Sequence, residues 1–390
     1  MPTNRYTWLD ANRSLAALGI VMIHSTTDSG GGAFPTAEPD QRVIPLLLRQ
    51  LAEFSSTELF MLFSLFLVAQ KLARDPSIPY RELITTQARR LLVPFVAWTV
   101  FYAVFRLLKA SAFNYEQVIV DQLSDVGWWL RAFVLGDSQY HMHFLPTLFA
   151  LILAVPALRL ASRWPLLGIA LIGCLIGREA LNGAVWATIS DPELRAWVFR
   201  AIKIVTYLGY GWAAFAIYQV VDRLADRHAT RDLFWAGVAG LAILTALKLP
   251  AMWWVIQGGE WVGRPDLAYF GHYLTAPVVL LMFASLRYTH LPPVFNKTAQ
   301  YTFGVYLVHP AWIDVVDITV LSLGLQLLPT QLVLLKWGFA LPMSVLTTMA
   351  LALTPLAWTV GLGGAKRKRL RFGRHGSAAA AGNPDKRAAR

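Results

Sequence analysis

The chain has little charge. Only 15% of its 390 residues are Asp, Glu, Lys or Arg, against 56% hydrophobic residues and a mean hydropathy of 0.47. An ordinary soluble domain keeps about a quarter of its residues charged, so this shortfall excludes one. Cysteine is scarcer still. A lone Cys174 cannot close an intramolecular disulfide, which rules out both a disulfide framework and a cysteine-rich zinc site. Acids are few as well, 23 against 35 basic residues, for a formal net charge of +12. No internal repeat and no polar stretch long enough for a soluble domain breaks up the apolar segments.

What is present is a series of long apolar runs, at about 12–28, 45–70, 91–110, 143–160, 165–182, 198–220, 233–256, 266–286, 300–322 and 331–358. They predict an all-α, polytopic membrane bundle of about ten transmembrane helices over residues 1–360, followed by a basic, disordered tail over 361–390. The polar opening lacks a small-residue cleavage site, so the first run reads as a retained helix rather than a signal peptide. Pro94, Pro146, Pro277, Pro310 and Pro342 fall inside these runs, where neighbouring helices can re-satisfy the freed carbonyls. Most lysines and arginines lie on one set of loops and in the tail, which predicts both termini in the cytoplasm. The cluster Lys366-Arg-Lys-Arg369, with Arg371 and Arg374, follows the last run, where anionic membrane lipids attract such charges. That reading leaves no nucleic-acid partner to invoke.

Ionisable groups inside an apolar run mark a substrate or proton pathway by default. Arg13 and His24 bracket the first run, and their spacing of about three turns puts both side chains on one helix face, roughly 16 Å apart. A cation then sits near one membrane surface and a titratable imidazole near mid-membrane. Glu58 lies roughly 20 Å into the second run, level with His24. It reads either as the carboxylate that orients the imidazole in catalysis or as a structural counter-ion of Arg13, Arg89 or Arg90. His141 and His143 point to different sides of a helix and have no ligand at the usual spacing, so no metal site is predicted. His309, in Tyr306-Leu-Val-His309-Pro310, reads as a hydrogen-bonded structural residue, whereas Asp314 and Asp317 could line a polar cavity. The Gly/Pro-rich outer segment from Thr26 to Arg42 reads as mobile. Outer aromatics such as Trp128, Trp129, Tyr140, Trp186 and Trp197 suit an interfacial belt, and the same rings could stack on sugars.

Five of these motifs, in this order, resemble those of the acyltransferase-3 family. Arg13 and His24 are similar to its Arg/Lys-x10-His signature, and Glu58-Leu-Phe-Met-Leu-Phe-Ser64 to its second-helix stretch. Arg89-Arg90-Leu-Leu-Val-Pro94 resembles its basic start of the third helix. His141-Met-His-Phe-Leu145 and Thr302-Phe-Gly-Val-Tyr306-Leu-Val-His309-Pro310 resemble two further motifs. Leu65, His143 and Gln87 depart from the pattern, which bears on substrate contacts rather than on the family.

The resemblance implies a membrane O-acyltransferase of the bacterial inner membrane. It would take an acyl group, commonly acetyl, from cytoplasmic acyl-CoA to a hydroxyl of an exported or surface glycan or lipid-linked saccharide. Acyl-CoA would be a co-substrate, with no tightly bound cofactor. His24 would be the general base with Glu58 in support; Arg13, Arg89 and Arg90 would meet the donor; Ser64, His141, Tyr306, His309, Asp314 and Asp317 would line the cavity or support it. The same intramembrane His, Glu and Asp residues would also serve a carrier or flippase for a glycan or lipid-linked intermediate, although no pair of related halves with broken helices is evident.

Overall fold

A computed structural model describes residues 7–223, 227–261 and 266–362 of the protein. Arg5 and the basic tail from residue 363 lie outside the described residues. Each of the ten predicted runs overlaps one helical stretch: α1 (Thr7–Ser25), α2 (Pro39–Arg74), α3 (Tyr80–Ala112), α4 (Phe144–Leu153 with Val155–Arg163), α5 (Pro165–Thr188), α6 (Pro192–Arg223), α7 (His228–Gly258), α8 (Leu267–Tyr288), α9 (Thr302–Ser322) and α10 (Pro329–Leu353). Among the described residues there is no strand. Eight of these stretches are long and apolar enough to cross a membrane, and α4 becomes a ninth if its two halves, bent by 67°, form one span.

The tenth, α1, falls short of that apolarity, and its packing shows why it can. It carries Asp10, Asn12, Arg13 and His24, and a charged residue at the lipid-facing centre of a helix costs about 2.5–3.5 kcal/mol on insertion scales. α1 therefore lies inside the bundle, where Leu18 is its only exposed residue. It packs against α9, α10 and the middle of α2.

The middle of α2 is itself broken by a short 3₁₀ turn, Glu53–Ser55. The Ser55 hydroxyl donates to the carbonyl of Ala16 on α1. The two backbones can approach this closely only because residue 19 has no side chain: a Cβ on Gly19 would lie 2.5 Å from that of Ser55. Glu53, freed at the break, is ion-paired with Lys248 of α7 at 3.1 Å. Buried charge at mid-helix is thus matched by a partner on a neighbouring helix.

The segment from Thr26 to Arg42 is tied down, contrary to the mobility its glycines predict. The buried Arg42 guanidinium donates to the carbonyls of Phe34 (2.9 Å), Pro35 (3.0 Å), Ala37, Ile256 (2.8 Å) and Gln257 (3.1 Å). Phe34 is buried with a left-handed φ of 59°, a conformation that needs support from its surroundings. Composition reports the flexibility of the chain alone. It does not report a cation that collects five carbonyls.

Candidate functional site

The start of α1, the end of α2 and the starts of α3 and α9 come together, since Arg13, Lys71, Arg90 and Thr302 line one cavity. Arg13 lies towards that end of α1 and His24 towards the other. The His24 ring, half-buried, stacks on His309 with centroids 5.3 Å apart and meets the Tyr140 ring at 4.4 Å. His141 joins the cluster edge-on to His309 at 5.5 Å and to Tyr306 at 5.2 Å. The loop that brings Tyr140 and His141 inward doubles back at Gly136, whose φ is +78°; a Cβ there would lie 2.5 Å from the His143 Cα.

The order His309-Pro310 has a physical consequence here. Proline has no N–H, so Pro310 leaves the carbonyl four residues back, that of Tyr306, without its helical donor. His309 Nδ1 lies 2.8 Å from that carbonyl and donates to it. An imidazole whose Nδ1 carries the proton has a bare, accepting Nε2, and His309 Nε2 is buried with no hydrogen-bond partner among the described residues. Both ring nitrogens of His141 are likewise buried without one. Structural hydrogen bonding therefore accounts for one nitrogen of His309 and leaves the other available.

On the Arg13 side of this cluster lies a cavity of about 210 Å³. Arg13, Lys71, Gln87, Arg90 and Gln300 supply its polar lining, with Ser64 partway in. Arg13 donates to the Thr302 hydroxyl at 3.5 Å. Tyr306 lines the cavity too, packed against Phe60 (5.8 Å) and Phe144 (5.4 Å), and its hydroxyl donates to the His141 carbonyl. Tyr306 is thus shared between the basic cavity and the histidine cluster. One helix, α1, contributes a residue to each.

Other predicted residues lie elsewhere. Arg89 and Arg90 are both exposed, but only Arg90 lines the cavity, since successive helical residues point about 100° apart. Glu58 does not orient His24: it accepts a hydrogen bond from the Tyr207 hydroxyl on α6, because its face of α2 packs against that helix rather than against α1. Asp314 and Asp317 do not line an open cavity. Lys109 reaches them at 2.6 and 3.4 Å, and Lys336 reaches Asp317 at 2.7 Å. Lys109, Lys336, Lys71 and Tyr207 were not singled out from sequence, and Tyr140 was named only as one ring of an interfacial belt. Lys336 could have been, as a lone cation within the apolar run 332–340. Among the described residues no group of three or more His, Cys, Asp or Glu is arranged to hold a metal ion.

A bundle of many long apolar helices around an internal histidine cluster and a basic cavity suggests an integral membrane protein. The family model described as an acyltransferase domain matches residues 6–353, nearly the whole chain, and the protein belongs to the acyltransferase-3 family of membrane acyltransferases. No curated protein and no solved structure matched the chain.

Proposed function

We propose that this protein transfers an acyl group, in its simplest form acetyl, from cytoplasmic acyl-CoA to a hydroxyl of an exported or surface glycan. The observation that carries the proposal is the shared wall. The cavity lined by Arg13, Arg90 and Lys71 ends at Tyr306, and Tyr306 packs against the histidine cluster that holds His24. Three cations suit the phosphates of a CoA donor, since guanidinium and ammonium groups bind phosphate through charge-assisted hydrogen bonds. Beyond the wall, a neutral His24 takes the proton of the attacking hydroxyl as its oxygen bonds to the thioester carbonyl. As the carbon–sulfur bond breaks, the proton passes to the departing CoA thiolate. His309, in stacking contact with His24, holds that ring in place.

Both termini would then be cytoplasmic, in a bacterial inner membrane, with the Tyr140 side of the bundle facing outward. The supporting feature is the concentration of basic residues on the Arg13 face. Purified protein in lipid nanodiscs should release free CoA from acetyl-CoA only when a glycan acceptor is added. CoA release that is absent under all acceptors, with saccharide movement across vesicles instead, would mean that the protein is a carrier.

A further inference from the structure

On the face opposite Arg13, an open cleft of about 440 Å³ runs between α5, α6 and the loop that carries Gly136. Its floor and walls are cationic. Arg178 comes from α5, and Arg200 and Lys203 from α6. Among the described residues, Arg178 and Lys203 have no carboxylate within 4 Å, and Arg200 has only Asp137, at 3.9 Å. Glu58 lies beneath the group: its carboxylate accepts from the Tyr207 hydroxyl, to which Arg178 donates at 3.3 Å, and its single negative charge acts on both Arg178 and Lys203. Burial pushes the Asp137 carboxyl above its usual range, although Arg200 and Arg131 oppose that shift. The cleft therefore carries more positive than negative charge.

Lys203 makes its short contact with a neutral partner instead. Its ammonium lies 2.9 Å from His143 Nε2 and can only donate, so Nε2 accepts and Nδ1 gives its proton to the Tyr140 carbonyl at 2.9 Å. This chain of bonds joins the cleft to the transfer site, because the Tyr140 ring is the one that touches His24. The outer wall adds a different chemistry. Trp186 is 64% exposed, has its indole 5.6 Å from Phe199, and carries the Arg195 guanidinium 4.3 Å above it. An exposed indole beside the Asn182 amide offers a flat apolar face and a hydrogen-bonding group, the pair that a sugar ring presents in complement.

We infer that this cleft is the acceptor subsite and that the acceptor is an anionic saccharide, its carboxylate or phosphate held by Arg178, Arg200 and Lys203 and a sugar ring resting on Trp186. As an acceptor site it rests on the acyl-transfer reading above; as an anion-binding site it does not. A saccharide anchored there lies along the segment from His143 to Tyr140, which leads its next residue's hydroxyls to His24.

The test is binding to the full-length protein in nanodiscs, without acyl-CoA, by titration calorimetry with three probes: a galacturonate tetrasaccharide, glucose 1-phosphate and neutral maltotetraose. At least one anionic probe should bind roughly tenfold or more tightly than maltotetraose and weaken as salt rises. Preference for galacturonate identifies a carboxylate in the glycan itself, and preference for glucose 1-phosphate a phosphate such as that of a lipid-linked sugar. Arg200→Gln and Lys203→Gln should each weaken the anionic probe by roughly tenfold. Trp186→Ala, at a ring too exposed to endanger the fold, should weaken it while leaving its salt dependence intact. Equal binding of all three probes, binding unchanged in the three variants, or displacement of the anionic probe by CoA would each overturn the inference. Acceptor-dependent CoA release is read separately. An anionic probe bound in the cleft of a protein that transfers nothing would uphold the binding site and sink the acyl-transfer reading.

Discussion

Two buried polar clusters lie on α9 within two turns of each other, and they are built on opposite principles. In the first, Lys109, Asp314, Asp317 and Lys336 balance two positive charges with two negative ones at 2.6–3.4 Å. Lys336 also donates to the Thr27 carbonyl at 2.9 Å, and Gln139 to Asp314 at 3.4 Å. In the second, His24, His141 and His309 meet mainly through ring faces and edges, and three ring nitrogens of His141 and His309 have no hydrogen-bond partner among the described residues. A buried polar group without a protein partner contributes nothing through side-chain bonding and costs roughly 1–3 kcal/mol if nothing else meets it, so the second cluster is not what holds these helices together. The saturated cluster is scaffold: it joins α3, α9, α10 and the end of α1. On the proposed reading, the histidine cluster is where acyl transfer takes place.

This contrast breaks most directly at His24. His24→Ala should reduce acyl transfer by about 10² to 10⁴ in correctly inserted protein, the range for a lost general base, and His24→Gln should fail similarly because an amide cannot cycle a proton. Near-normal turnover of purified His24→Gln would remove the histidine cluster from the mechanism. Asp317→Asn should act on the other property. It strands the buried Lys336 charge, and thermal unfolding in detergent should show a loss of about 3–5 kcal/mol, with turnover per folded molecule largely kept. Adding Lys336→Met to that variant should recover most of the stability, and a double variant no better than the single would show that the four charges are not a unit.

His309→Gln falls between the two cases. A glutamine can replace the bond to the Tyr306 carbonyl but not the bare Nε2, so turnover should drop by roughly 10², the lower end of the general-base range, at unchanged protein level. A change confined to protein level would return His309 to the scaffold, the role its motif suggests when read alone. Smaller effects belong to the basic cavity. Arg13→Ala and Arg90→Ala should each raise the KM for acyl-CoA by about tenfold or more, since a charge-assisted contact is worth roughly 1.5–3 kcal/mol. Arg89→Ala should leave that KM where it is. Equal effects of Arg89 and Arg90 would mean that the cavity is not where the donor binds.

Features set by one helix at a time were legible in the sequence. Ten apolar runs meet ten helical stretches, and the helical repeat puts Arg13 and His24 on one face of α1. Relations between helices were less so. The depth of Glu58 was estimated from rise per residue, but its direction around α2 decides whether it meets His24 or Tyr207, and depth says nothing about direction. Arg89 and Arg90 are adjacent in sequence and both exposed, yet one helical step is enough for Arg90 to line the cavity and Arg89 not to. Asp314 and Asp317 were recognised as intramembrane charges without their partners, which lie over 200 residues before them in Lys109 and on the next helix in Lys336. His309-Pro310 was visible as a motif, yet the link between a missing N–H, a freed carbonyl and a fixed tautomer emerges only once the ring is placed beside that carbonyl.

The Arg42 clamp has a consequence for biogenesis. Two of its carbonyls, those of Ile256 and Gln257, belong to a helix whose end lies 214 and 215 residues farther along the chain. At about 5–20 residues per second, the ribosome needs roughly 10–40 s to make that stretch. Throughout this interval the loop between α1 and α2 exists without its final fastening, and α2 is held by its own apolar half and by α1. The early helices must therefore be inserted as a loosely closed set that admits α7 afterwards. Locking of this loop is a late event in the assembly of the bundle, although its residues leave the ribosome well before those of α7.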